Sequence, residues 1–175
     1  MMRRLIGIAA VFTLALGVFF SCASCSRLDP LTADELQMAF TANAVISQDD
    51  TAITCRVTRT QEGLATVAVL SPQLLAGLAF EWQGDGYAIT YSGLVCETQQ
   101  PFLPSSCFAS ALIGALDQAA NPENLTLQSE NGGSTIFTGT CPSGDFTLEA
   151  DSATGVVQKI NIASLNLTAE LLPAE

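Results

Sequence analysis

The chain has 175 residues, six basic and 17 acidic side chains, no histidine and a net charge of −11. Such a charge repels phosphate backbones and anionic headgroups, so nucleic acid is not expected as a partner. The missing histidine removes the commonest general base, the usual partner of a catalytic serine or cysteine, and histidine-based zinc sites.

Arg3 and Arg4 precede an uncharged, mostly apolar run from Leu5 to Phe20, which ends at Ser21-Cys22. A positive start, an apolar middle of about 7–15 residues and small residues at the cut make a secretory signal. The run is short of the ~20 residues of a spanning helix. No second run of that length follows, so the mature part is expected to be soluble. Ser21-Cys22 behind Val18, Phe19 and Phe20 resembles the lipobox of bacterial lipoproteins, in which the cysteine thiol is acylated and becomes the new N-terminus. Cys25, behind the small Ala23 and Ser24, is the alternative carrier. A plain secretory cut near Ala23-Ser24 and an uncut anchor are the other two possibilities.

The reading adopted is a signal peptide over 1–21, acyl chains of the palmitate type on Cys22, a tether over 22–31 and one domain over 32–175. It places the protein on the extracytoplasmic face of the cell membrane, in the cell envelope. Once Arg3 and Arg4 are removed, Arg27, Arg56, Arg59 and Lys159 stand against all 17 acidic residues, a net charge of −13. No basic patch remains to hold the domain to a membrane, so the lipid must do it. Two chains anchor stably where one does not.

In the domain, Thr32 followed by Glu35 makes a capping-box pattern. With Leu36, Ala39, Phe40 and Ala44 at helical spacing, it predicts a helix from Ala33 to about Ala44. Ile53, Cys55 and Val57 alternate with Thr54, Arg56 and Thr58, a strand that turns at Gln61-Glu62-Gly63 into Leu64–Leu70. Ser71-Pro72 breaks that strand, with one helical turn expected over 72–76. Leu78–Trp82, the turn 83–86 and Tyr87–Tyr91 form a hairpin pattern, and Gly93-Leu94-Val95 continues it. Phe108–Ala119 carries Phe108, Ala111, Leu112, Ala115 and Leu116 at helical spacing; Ser105 or Ser106 is placed to cap it, and Asn121-Pro122 to end it. Strands follow over 125–130, 135–141, 145–151, 156–163 and 165–171. Tight turns between them disfavour parallel βαβ units.

The cysteines after Cys22 are Cys25, Cys55, Cys96, Cys107 and Cys141. No CxxC or metal-ligand spacing occurs among them, so no metal is expected. In an exported protein disulfides are the default. Four of the five lie in the domain and allow three pairings; Cys96 with Cys107 and Cys55 with Cys141 are preferred, and Cys25 is left over in the tether. Buried free thiols at Cys55 and Cys141 are the alternative. The acid pairs Asp34-Glu35 and Asp49-Asp50 read as helix-start charge and solvated turn rather than as a two-carboxylate hydrolase.

The stretches FTAN, LSPQLLAGLAFEW, YAITYSGL and DSATGVVQKINIA together resemble the LolA-like family of lipid-handling proteins. The family includes the outer-membrane lipoprotein-sorting carrier and mycobacterial lipoproteins. The resemblance implies an α+β fold, a strongly curved antiparallel β-sheet (a half-barrel) with two main helices packed on its concave face. It also implies an apolar cavity between sheet and helices. Leu36, Phe40, Leu112 and Leu116 are the candidates for its helix side, and Val67, Val69, Phe80, Trp82, Ile89 and Tyr91 for its sheet side. The expected function is a membrane-anchored module that binds or carries a lipid or other hydrophobic ligand, with no catalysis and no cofactor. The alternative is a structural or protein-interaction lipoprotein without a ligand cavity. Oligomeric state is left open.

Overall fold

The computed structural model describes residues 30–84, 86–98 and 103–173. The predicted signal segment 1–21 and both lipidation candidates, Cys22 and Cys25, lie outside these residues. Leu31 is already buried in the core.

Eleven strands follow in chain order: β1 Phe40–Gln48, β2 Thr51–Gln61, β3 Leu64–Ser71, β4 Ala79–Gln83, β5 Gly86–Tyr91, β6 Leu94–Thr98, β7 Thr126–Asn131, β8 Ser134–Cys141, β9 Gly144–Asp151, β10 Val157–Ile162 and β11 Leu167–Pro173. One α-helix, α1 Phe108–Ala119, stands between β6 and β7. The strands make a single curved sheet in the order β6-β5-β4-β3-β2-β1-β11-β10-β9-β8-β7, open at β6 and β7. Every strand pairing is antiparallel. Two meanders, β1–β6 and β7–β11, meet where β1 pairs with β11, with Ala44 opposite Leu171. This is the one strand pairing between elements far apart in sequence.

Alternation along the strands sets which face is buried. Ala42, Ala44 and Ile46 of β1, Ile53, Cys55 and Val57 of β2, and Leu167, Ala169 and Leu171 of β11 all point to the core. α1 fills the space above them through Ala109, Ala111, Leu112, Ile113, Ala115, Leu116 and Ala119. Its alanines let the helix axis come close to the sheet. Because Leu116 is fully buried, Leu116→Ala should cost about 2–5 kcal/mol of stability in denaturant unfolding.

Two helix expectations are corrected. The helix over Ala33–Ala44 is instead a 3-10 turn, Ala33–Glu35, followed by β1. The capping pattern is real: the Glu35 carboxylate accepts from the Thr32 N–H at 2.9 Å and the Thr32 hydroxyl at 2.7 Å. The chain turns extended at Leu36 (φ −64°, ψ 133°) because Ala42, Ala44 and Ile46 bury more surface at period two, between β2 and β11, than at helical period. The fold therefore has one main helix rather than two. Neither Ser105 nor Ser106 caps α1. Cys107 occupies the N-cap, and the two serine carbonyls accept from the Ser143 hydroxyl (2.7 Å) and the Gln48 amide (3.2 Å). Asn121-Pro122 ends the helix as expected, the Asn121 side chain accepting from the Glu123 N–H at 3.1 Å.

The preferred Cys55–Cys141 disulfide is also corrected. The two thiols are free and stand on β2 and β8, five strand spacings apart. At about 4.8 Å per spacing, with α1 filling the concave side, their backbones are far outside disulfide reach. Cys96 and Cys107 are free as well.

One polar link crosses the core. Arg59, 2 % exposed, donates from Nε (3.0 Å) and Nη2 (2.9 Å) to the Asp117 carboxylate of α1, and from Nη1 to the Met38 carbonyl at 2.7 Å. The other Asp117 oxygen accepts from the Gly63 N–H at 3.4 Å. The helix end is thus bolted to the β2–β3 turn and to the segment leading into β1.

Candidate functional site

The lead-in to β1 is docked by the β9–β10 hairpin. Asp151 closes that hairpin: one oxygen accepts from the Ala153 N–H (3.1 Å), the Thr154 N–H (2.8 Å) and the Thr154 hydroxyl (2.7 Å). The Thr154 bonds, hydroxyl first, hold its carboxyl below the ordinary range. Gly155 follows with φ +70°, and its carbonyl accepts from the Gln37 N–H at 2.8 Å. The Gln37 amide donates to the Thr154 carbonyl at 2.9 Å, and Gln37 bridges Val156 in parallel. The Asp-x-x-Thr-Gly turn is therefore a clamp on the entering chain.

Beside this clamp lies an open groove of about 640 Å³. It runs over the strand ends of β1, β11 and β10, between Gln37, Phe40, Thr41, Val156, Lys159, Glu170, Leu172 and Pro173. A register shift between Val157 and Lys159 bends β10 away at this point. Val156 and Leu172 are exposed apolar side chains, 40 % and 52 % accessible. At the polar side, Lys159 Nζ meets Glu170 Oε1 at 3.3 Å, with both side chains half-exposed. Such a pair contributes little to stability. It does place a cation, an anion and the Gln37 amide next to an apolar floor. That layout suits an amphiphile, an apolar chain with a polar head.

A second groove of about 560 Å³ is polar, lined among others by Gln118, Asn124, Thr138, Thr140, Asp145, Thr147 and Asn161. Several of these groups satisfy one another: Thr140 donates to Asp145 at 2.9 Å, and the Asn124 amide to Gln118 Oε1 at 3.1 Å.

The ten residues named from sequence for a cavity do not come together around either groove. Phe40 lines the first groove, and Leu36 is buried next to its rim. Val67, Val69, Phe80, Leu112 and Leu116 are packed in the core, at most 5 % exposed. Val67, Leu112 and Leu116 touch no water-sized space at all, at 0 %. Trp82 and Ile89 pack half-buried against the core. Tyr91 is 39 % exposed and donates its hydroxyl to the Leu74 carbonyl at 2.8 Å. Among the described residues the helix–sheet interface is thus packed around the five core side chains, and the apolar groove of about 640 Å³ lies outside it, at the rim. Val156 and Leu172, missed in the sequence reading, carried a legible trace. Val156-Val157 and Leu171-Leu172 are apolar doublets at strand positions, and at period two one member of each must face outward.

Among the described residues, no group of three cysteine or acidic side chains is placed to hold a metal ion, and no helix is long and apolar enough to cross a membrane.

No family model matches the chain, and no curated protein sequence matches it. Among solved structures, it is similar to an uncharacterised conserved protein from Thermus thermophilus (12 % identity over 76 % of each chain, TM-score 0.49). It is similar to a LolA superfamily protein from Nitrosomonas europaea (14 %, 77 % of this chain and 70 % of that one, TM-score 0.42). The lipoprotein LppX of Mycobacterium tuberculosis is a third likeness (12 %, 77 % and 84 %, TM-score 0.36). The LolA resemblance read from the sequence recurs among these likenesses in outline. All lie below a TM-score of 0.5, and none assigns this chain a function.

Proposed function

We propose that the chain is a lipid-anchored, extracytoplasmic binding module that holds a lipid or lipid-like ligand in the rim groove, without catalysis. The observation that carries this reading is the groove itself. It is open and largely apolar, of a size suited to a small ligand, and edged by the Lys159–Glu170 pair. The position of the entering chain supports it. Gln37 is part of the groove wall. An acylated Cys22, 15 residues upstream in sequence, would hold the groove within about 50 Å of the membrane.

Leu172→Arg and Val156→Arg each put a charge on the apolar floor. Both positions are exposed, so stability should change by no more than about 0.5 kcal/mol. Affinity for a fluorescent fatty acid, measured by titration of the mature protein, should fall at least tenfold in either variant. Unchanged affinity would overturn the assignment.

A second reading, a protein-interaction lipoprotein, is favoured by a different observation. Leu74 and Leu94 are 80 % and 74 % exposed beside Tyr91, Leu94 opposite it in register and the Leu74 carbonyl accepting its hydroxyl. Fatty-acid binding that survives both arginine variants but is lost in Leu94→Arg would move the ligand to that patch. No fatty-acid binding in any form would leave the patch as a protein surface.

A further inference from the structure

We propose that Cys96 and Cys107 are an oxidisable pair that closes an intramolecular disulfide, tying the N-terminus of α1 to the edge strand β6. Register places the first thiol. Cys96 stands opposite Ile89, and Ile89 opposite Phe80, so their side chains share one face of the sheet. That is the face α1 covers, since Phe80 pairs with fully buried Val67. Packing places the second. Phe80 meets Phe108 edge-on, ring centroids 5.6 Å apart, and Cys107 is the N-cap immediately before Phe108. Both cysteines therefore stand over the same row of the β4–β6 wing.

Tyr87 lies on this face two residues before Ile89 and is 2 % exposed, yet its hydroxyl has no hydrogen-bond partner. A buried hydroxyl left unpaired is costly. Burial pushes its pKa up, and the nearness of Cys107 and then Cys96 pushes it further. Both cysteines thus lie in the neighbourhood of this phenol. Among the described residues they are also the two reachable thiols: Cys96 is exposed and Cys107 partly so, whereas Cys55 and Cys141 are buried. Burial pushes the Cys55 thiol up to about 12, which keeps it protonated and unreactive.

The chemistry balances with a small disulfide such as oxidised glutathione as oxidant. One cysteine thiolate attacks it and releases one glutathione thiol. The second cysteine thiolate then attacks the mixed disulfide and releases the other. The protein loses two electrons and two protons, and the oxidant becomes two thiols. An exported protein meets oxidants of this class. The inference is independent of what the rim groove binds.

The test treats the mature protein with oxidised glutathione, alkylates it in the native state, and maps the digest by mass spectrometry. The expected result is a linked peptide pair containing Cys96 and Cys107, released by reductant, with Cys55 and Cys141 alkylated only after unfolding. Reduction should lower the melting temperature of the wild type by several degrees and leave that of C96S/C107S unchanged. Native alkylation of both cysteines after oxidation, a persistent glutathione adduct on either, or a link from Cys96 to any other thiol would overturn the proposal. So would an equal melting shift in C96S/C107S.

Discussion

Asp117→Ala is expected to destabilise the domain by about 3–5 kcal/mol, because it strands a buried guanidinium. The Arg59 side chain is 1 % exposed and Asp117 21 %, so the pair is shielded far better than a surface ion pair. Removing the carboxylate deletes both Arg59–Asp117 bonds and the contact to Gly63 N–H, and leaves only the Met38 carbonyl facing the charge. For a domain of this size the melting temperature should drop by roughly 10 °C or more. The cause is testable separately from the lost contacts. Arg59→Met combined with Asp117→Ala removes the charge together with its partner and should recover much of the loss. If the double variant is as unstable as the sum of the singles, the buried charge is not the cause.

Gly155→Ala is the second large effect, at about 3 kcal/mol. The residue has φ +70°, where a side chain costs about 1–2 kcal/mol. A Cβ there would also run into the backbone carbonyl of Glu35, oxygen first and carbon at 3.2 Å. Backbone cannot swing aside as a side chain can. The lead-in segment would lift, and the Gln37 bonds to the carbonyls of Gly155 and Thr154 would be lost with it. Because Gln37 is a wall of the groove, ligand affinity should fall together with stability. Hydrogen exchange would read this directly. The Gln37 N–H should lose protection in the variant while α1 keeps its own. Retained protection at Gln37 would contradict the clamp.

Most of the sheet was legible in the sequence because its hairpins are local. Gln61-Glu62-Gly63 and Gly132-Gly133 separate runs of alternating character, and the ends of those strands fall within a residue or two of expectation, except that β6 runs on three residues past Val95 to Thr98. α1 was legible to the residue, since Phe108, Leu112 and Leu116 repeat at helical spacing ahead of Asn121-Pro122. The first helix was misread for a physical reason. A genuine capping box at Thr32–Glu35 precedes alanines, which favour helix, and nothing local reveals that Ala44 will face Leu171. That pairing joins the chain's two halves, and its gain in burial overrides local propensity. The groove was hidden for the same reason. Its walls come from the lead-in, β1, β10 and β11, which only the β1–β11 pairing brings together. A half-barrel implies a cavity beneath its helix. Here, among the described residues, Leu112, Leu116 and the α1 alanines pack against the sheet, and the apolar groove is at the rim.

The most direct test of the central claim is photo-crosslinking of the mature protein with a diazirine-labelled fatty acid, followed by peptide mapping. Labels concentrated on Phe40, Val156, Leu172 and Pro173, displaced by excess unlabelled fatty acid, are the expected result. Labels on Leu74, Tyr91 and Leu94, or none that competitor displaces, would contradict the rim groove as the binding site.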